Sequence, residues 1–151
     1  MRRIQLPELE FSEWYDWSHR HRYPRRRRPG VYLIAVTDKR SLTGTRPEWK
    51  DVDYIGMTNS RNGLAGRWYQ LDRTIKGGKG HSGGKSMRED LGDYSQWKKC
   101  MYVAAMSIDC DVTKRSPEEY LKMGWVAFFE YEAFSKYAKA GKGQHPLYNK
   151  R

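Results

Sequence analysis

Two tyrosines sit beside glycines in mirrored order: Gly30-Val31-Tyr32 opens one apolar run, and Tyr54-Ile55-Gly56 lies in another. A phenol ionises near pH ~10 in water. At neutral pH each is therefore a hydrogen-bonding group, and it becomes a base only where a cation or a basic neighbour lowers its pKa. A third group stands out because Glu130 interrupts the apolar run WVAFF. A carboxylate on a core-facing helix ordinarily has a partner or a metal. Taken singly, these residues also have plainer readings: strand tyrosines that only pack, and a solvated glutamate.

The chain around them is strongly basic. Its 151 residues carry 29 Lys+Arg against 18 Asp+Glu, a net charge of +11. Such a surplus attracts polyanions, of which nucleic acid is the commonest large one in a cell; a basic surface serving only solubility is the plain alternative. The length suits one domain with a single core. Six Trp and eleven Tyr supply large core-forming side chains, while a mean hydropathy of -0.97 implies a very polar surface. No run approaches the ~18 apolar residues of a membrane span, and MRRIQLPELEF lacks the apolar stretch of a signal peptide. The expectation is a cytoplasmic protein. Cys100 and Cys110 form neither a CxxC nor a Cys/His set at zinc spacing. They are expected as reduced thiols, Cys100 in the core.

The elements that must position these groups follow from patterning. Residues 1–29 read as a basic and aromatic N-terminal arm, in which Ser12 precedes Trp14, Tyr15 and Trp17 at the start of a short helix. YPRRRRPG then reads as an extended basic linker, with Arg25, Arg26, Arg27 and Arg28 either tracking a phosphate backbone or simply solvated. The domain itself runs over 30–151. GVYLIAVT (30–37) and VDYIGMT (52–58) predict two strands paired as an antiparallel hairpin. In residues 64–76, Leu64, Trp68, Leu71 and Ile75 share one helical face. A Gly-rich loop follows over 76–85, then a short helix over 87–97 and a third strand over 100–108. The longest helix spans 116–140, with Ser116 as cap, Pro117 in the first turn, Glu119 completing a capping box, and Gly124 weakening or dividing it. The fold class is α+β, a small three-stranded antiparallel sheet flanked by helices.

The paired tripeptides GVY and YIG closely resemble the GIY-YIG nuclease family, of which GVY is a conservative variant. The resemblance extends over residues 30 to 149. It matches the family's helix arginine to Arg67 in GLAGRWYQ, its later-helix glutamate to Glu130 in FFEYEAF with Ala133 and Phe134 as the hydrophobic pair, and its closing asparagine to Asn149 in HPLYNK. His81, in KGKGHSGGK, takes the place of a histidine found in some homing members. The resemblance implies a metal-dependent DNA endonuclease. In it Glu130 holds magnesium or manganese, Arg67 grips the scissile phosphate, and Tyr32 serves as general base. Tyr54 positions the phosphate or nucleophile, His81 orients Tyr32 or moves a proton, and Asn149 organises the end of the site. These roles agree with what phosphodiester hydrolysis requires: a base, charge stabilisation, and help for the leaving oxygen.

Some features depart from the family pattern. Met57 stands where members often carry lysine, leaving Lys79 or Lys85 as substitutes. KAGKGQ lengthens the span between Glu130 and Asn149, the loop between the two motif strands is long, and Glu132 competes with Glu130 as the ligand. Members commonly carry a separate DNA-binding domain. Here the arginine-rich arm, Lys79, Lys85 and the basic surface are expected to hold DNA, in a compact restriction-type or phage enzyme acting as a homodimer or homo-oligomer. The alternative is a non-catalytic nucleic-acid-binding module on the same scaffold.

Overall fold

The computed structural model describes residues 5–141 and 144–149. Residues 1–4 of the expected arm, 142 and 143 of KAGKGQ, and 150–151 at the domain's end lie outside the described residues. The architecture is α+β, an antiparallel sheet between helices.

The expected hairpin forms from β2 (Gly30–Val36) and β3 (Tyr54–Thr58), in a register that sets Tyr32 opposite Gly56. β4 (Met101–Ser107) pairs with the other edge of β2. The sheet has four strands rather than three, because β1 (Tyr15–Asp16) pairs with β4, giving the order β1-β4-β2-β3. A two-residue strand carries no alternation to read in sequence. It is held instead by Ser12, whose amide donates to the Ala105 carbonyl at 2.8 Å and whose hydroxyl accepts from the Ala105 amide at 3.1 Å. The short helix expected near Ser12 forms later, as a 3-10 segment over Trp17–Arg22.

Strand alternation then builds two cores. Val31, Leu33 and Ala35 face one side, with Tyr102, Ala104, Phe129 and Ala133. Tyr32, Ile34 and Tyr54 face the other, with Trp68, Leu71 and Val103. Because both faces of β2 are covered, it reads as a continuous apolar run. Trp14 joins the first core and Trp17 the second, so residues of the expected arm wedge into both.

The first of the helices, α1 (Gly63–Ile75), buries Leu64, Trp68, Leu71 and Ile75 as the spacing predicts. α2 (Ser82–Leu91) starts within the stretch expected as loop and ends before the expected residue 97; Tyr94–Gln96 form a separate 3-10 turn after Gly92. Glycine's low helix propensity hid this start. α3 (Pro117–Ala140) is one helix, undivided at Gly124. Ser116 accepts from the Glu119 amide at 3.3 Å, but the Glu119 carboxylate accepts from the Asp111 amide at 2.9 Å, so only half a capping box forms.

Two further expectations are corrected. Cys110 is the buried thiol and Cys100 is only partly buried; both are free. YPRRRRPG is a turn rather than an extended linker: Arg28 donates its amide to the Arg25 carbonyl at 3.0 Å. The carbonyls of Arg26 and Arg28 then accept from the amides of Ala65 and Leu64, capping the first turn of α1. Among the described residues no helix is long and apolar enough to cross a membrane.

Candidate active site

The mirrored glycines make room for the phenols. Gly56 lies across the ladder from Tyr32, and a Cβ there would come 2.6 Å from the Tyr32 hydroxyl. Gly83 does the same for Tyr54, whose ring occupies the space a side chain would need. The two rings lie 6.1 Å apart between centroids, and the Trp68 ring stands edge-to-face with Tyr32, also 6.1 Å between centroids. Tyr32 is fully buried and Tyr54 nearly so. A glycine pair in the first turn of α2 is therefore part of the site. The sequence signal for it was the Ser-Gly-Gly run after His81.

His81 is the N-cap of α2 and is buried against both tyrosines, its ring 5.5 Å from that of Tyr54. Its Nδ1 accepts from the Gly84 amide at 3.0 Å, and its Nε2 lies 2.8 Å from the Tyr32 hydroxyl. Burial, and then the nearby Arg67 charge, push its pKa down to about 3, so the ring is neutral near pH 7. A neutral imidazole carries one proton. With Nδ1 accepting, that proton sits on Nε2 and is donated to the Tyr32 oxygen. Of the two roles open to His81, this hydrogen-bond network favours orienting Tyr32.

Burial raises the Tyr32 phenol well above its usual pKa; neighbouring Tyr54 raises it further and the Arg67 guanidinium opposes. Tyr54 is also raised, mainly by burial, with Arg67 again lowering and Glu130 raising it. Both phenols are protonated at rest. Arg67, on the second turn of α1, is held by Gln70 Oε1 at 2.8 Å and reaches toward the Gly80 carbonyl at 3.5 Å. Gln70 is a supporting residue that the motif pattern did not mark.

Glu130 is half-buried on α3, and its charge is felt at Tyr54. Glu132 differs: one of its carboxylate oxygens is buried with no hydrogen-bond partner among the described residues. Among the described residues no group of three or more His, Cys, Asp or Glu is placed to hold a metal. The Glu130 carboxylate has the chemistry to serve a hard cation that completes its sphere with waters and phosphate oxygens, as magnesium does. It does not suit zinc.

Asn149 does not face the phenols. Its Oδ1 accepts from the Ile55 amide at 2.9 Å and its Nδ2 donates to the Ile55 carbonyl at 2.8 Å, extending the open edge of β3 between Tyr54 and Gly56. Tyr148 adds to this clamp, its amide donating to the Asp53 carbonyl at 2.9 Å and its hydroxyl to Asp90 on α2 at 2.7 Å. Met57 packs against the α3 core, away from the tyrosines. Lys79 and Lys85 line a depression of about 660 Å³ beside His81. Arg25, Arg27 and Arg28 are exposed and Arg26 is partly buried, and Arg28 is drawn to the Cys110 carbonyl at 3.3 Å and to Asp109 at 3.6 Å. The structure thus brings Tyr32, Tyr54, Arg67 and His81 together, leaves Glu130 on α3 with its charge felt at Tyr54, ties Asn149 to the Ile55 backbone, and leaves the arginine turn at the N-terminal end of α1. Comparison with family models, curated proteins and solved structures gives no match.

Proposed function

We propose that this chain is a metal-dependent DNA endonuclease that hydrolyses phosphodiester bonds, of the kind the GIY-YIG resemblance implies. The observation that carries the reading is a pair of buried phenols on the β2–β3 hairpin, with the Arg67 guanidinium acting on both and the Glu130 charge felt at Tyr54. Packing alone does not call for that set. Arg67, a planar donor fork, grips the scissile phosphate. The neutral His81 donates to the Tyr32 oxygen and so favours its ionised form, in which Tyr32 takes a proton from the attacking water. Tyr54 positions the phosphate, and Asn149 keeps β3 in place. Glu130 is the residue that would hold magnesium or manganese, which when bound supplies Lewis-acid stabilisation of charge on the phosphoryl oxygens. A compact restriction-type or phage enzyme working as a homodimer fits the small basic chain.

The test is plasmid cleavage with magnesium, manganese or chelator, comparing the wild type with Glu130→Ala, Glu132→Ala and Tyr32→Phe. Metal-dependent cutting lost in Glu130→Ala and Tyr32→Phe supports the reading. Binding without cutting under every metal makes the chain a non-catalytic module. Cutting that survives Glu130→Ala but not Glu132→Ala moves the metal ligand.

A further inference from the structure

The arginine turn and Lys79 and Lys85 account for only part of the basic surface near the site. Around the Gly-rich loop and α2, two depressions of about 660 and 680 Å³ share Arg88. The first is walled by Lys79, Lys85 and His81, and the second by Lys76, Tyr94 and Lys98. Between them five cations face two carboxylates, Glu89 and Asp93. Lys76 is tied to Asp72 at 2.8 Å, and Lys85 stands 3.9 Å from Glu89. Arg88 extends over Gly77, where a Cβ would sit 3.5 Å from its guanidinium. His81, whose Nε2 meets Tyr32, is among the residues lining the first depression.

We infer that this groove, from His81 past Arg88 to Lys98, is a second nucleic-acid contact surface that tracks the phosphodiester backbone flanking the scissile bond. It rests on the nuclease reading for its relation to the cut. Its chemistry is that of a polyanion track: the exposed cations Lys79, Lys85, Arg88, Lys76 and Lys98 are spaced along the two depressions, with the Tyr94 ring in the second. The arginine turn lies at the N-terminal end of α1 and the groove at its C-terminal end, with Arg67 between. A strand crossing the site therefore meets cations on both sides. The groove adds sequence-independent affinity and register, not base readout.

The experiment is fluorescence anisotropy of labelled single-stranded and duplex oligonucleotides in chelator, so that binding is read without cleavage. It uses Arg88→Gln, Lys98→Gln and their double variant, with Lys139→Gln on the helix across the sheet as control and thermal melts confirming the fold. The double variant is expected to bind at least ~10-fold more weakly at low salt. The slope of log affinity against log salt is expected to shrink by about 0.7–0.9 for each lost phosphate contact, and Lys139→Gln to keep the wild-type slope. Unchanged affinity and slope in the double variant overturn the groove, as does a wild type that binds neither oligonucleotide. The nuclease reading is scored separately: groove variants that weaken binding of a chain that never cuts sink the enzyme and leave the groove standing. Cutting that depends on Glu130 in a chain whose groove variants bind normally does the reverse.

Discussion

The two faces of the sheet use the same strands and do different things. On the α3 face, Val31, Leu33 and Ala35 meet Val126, Phe129 and Ala133 in an apolar layer. On the α1 and α2 face, the intervening residues of those strands meet polar groups. Three of the four buried polar residues among those described, Thr74, His81 and Ser86, belong to its helices, and the fourth, Thr58, extends the register of Tyr54 and Gly56. A polar group is tolerated in a core only with its hydrogen bonds made, and here Thr74 bonds the Gln70 carbonyl and His81 is satisfied at both nitrogens. One face is an apolar layer; the other buries polar groups whose hydrogen bonds are made.

That contrast can be broken most sharply at Tyr32. Tyr32→Phe keeps the ring and removes the hydroxyl, so cleavage is expected to fall by about 10²–10⁴-fold while the melting temperature stays within a few degrees. A large loss of stability with little loss of activity would make Tyr32 a packing residue. Phe129→Ala, on the other face, is expected to cost about 3–5 kcal/mol in denaturant unfolding. The fraction that remains folded should cleave at the wild-type rate.

Asp53 joins the two faces at the start of β3, where its carboxylate accepts from the Val36 amide at 2.8 Å. Burial raises its pKa from 3.8 to about 6, against the lowering effect of that hydrogen bond. A carboxyl raised on folding binds a proton more tightly in the native state than in the unfolded one. Stability from this group is therefore full below pH 3.8 and is lost as pH rises to about 6, by about 3 kcal/mol in all. Asp53→Asn, which retains an acceptor, should be more stable than wild type above pH 6 and no more stable at pH 4; equal melting curves at both would refute the shift. His81 works in the opposite sense. Its pKa falls from 6.5 to about 3, so stability is lost as pH drops through 6.5 and the unfolded chain alone takes up the proton. The smallest effect is expected at Gly83. Gly83→Ala pushes on the Tyr54 ring, costing about 1–3 kcal/mol and lowering cleavage more than the same change at Gly124, where a Cβ meets nothing within 4 Å.

Elements with a complete local pattern were legible in the chain. Leu64, Trp68, Leu71 and Ile75 announce the buried face of α1, and the unbroken run after Gly30 announces a strand covered on both sides. Elements whose cause lies elsewhere were not. β1 has two residues and exists because β4 offers an edge to it. Gly83 and Gly84 read as loop because helix propensity counts against them, whereas the rings and side chains of Tyr54, Leu71 and Thr74 leave no room for anything larger. The four arginines read as an extended tether from charge and proline, yet the carbonyls of Arg26 and Arg28 cap α1.

By itself, the chain determined which chemical groups are present and which stretches bury them: two phenols beside glycines, a basic surface, a carboxylate within an apolar helix. These follow from residue type and period, which are local. The tertiary structure alone decided what each group faces. It set Glu130 where its charge acts on Tyr54, turned Asn149 onto the Ile55 backbone, and, through the Gly84 amide, placed the His81 proton on the nitrogen that meets Tyr32. Such facing depends on contacts between residues far apart in the chain, and no local pattern carries it.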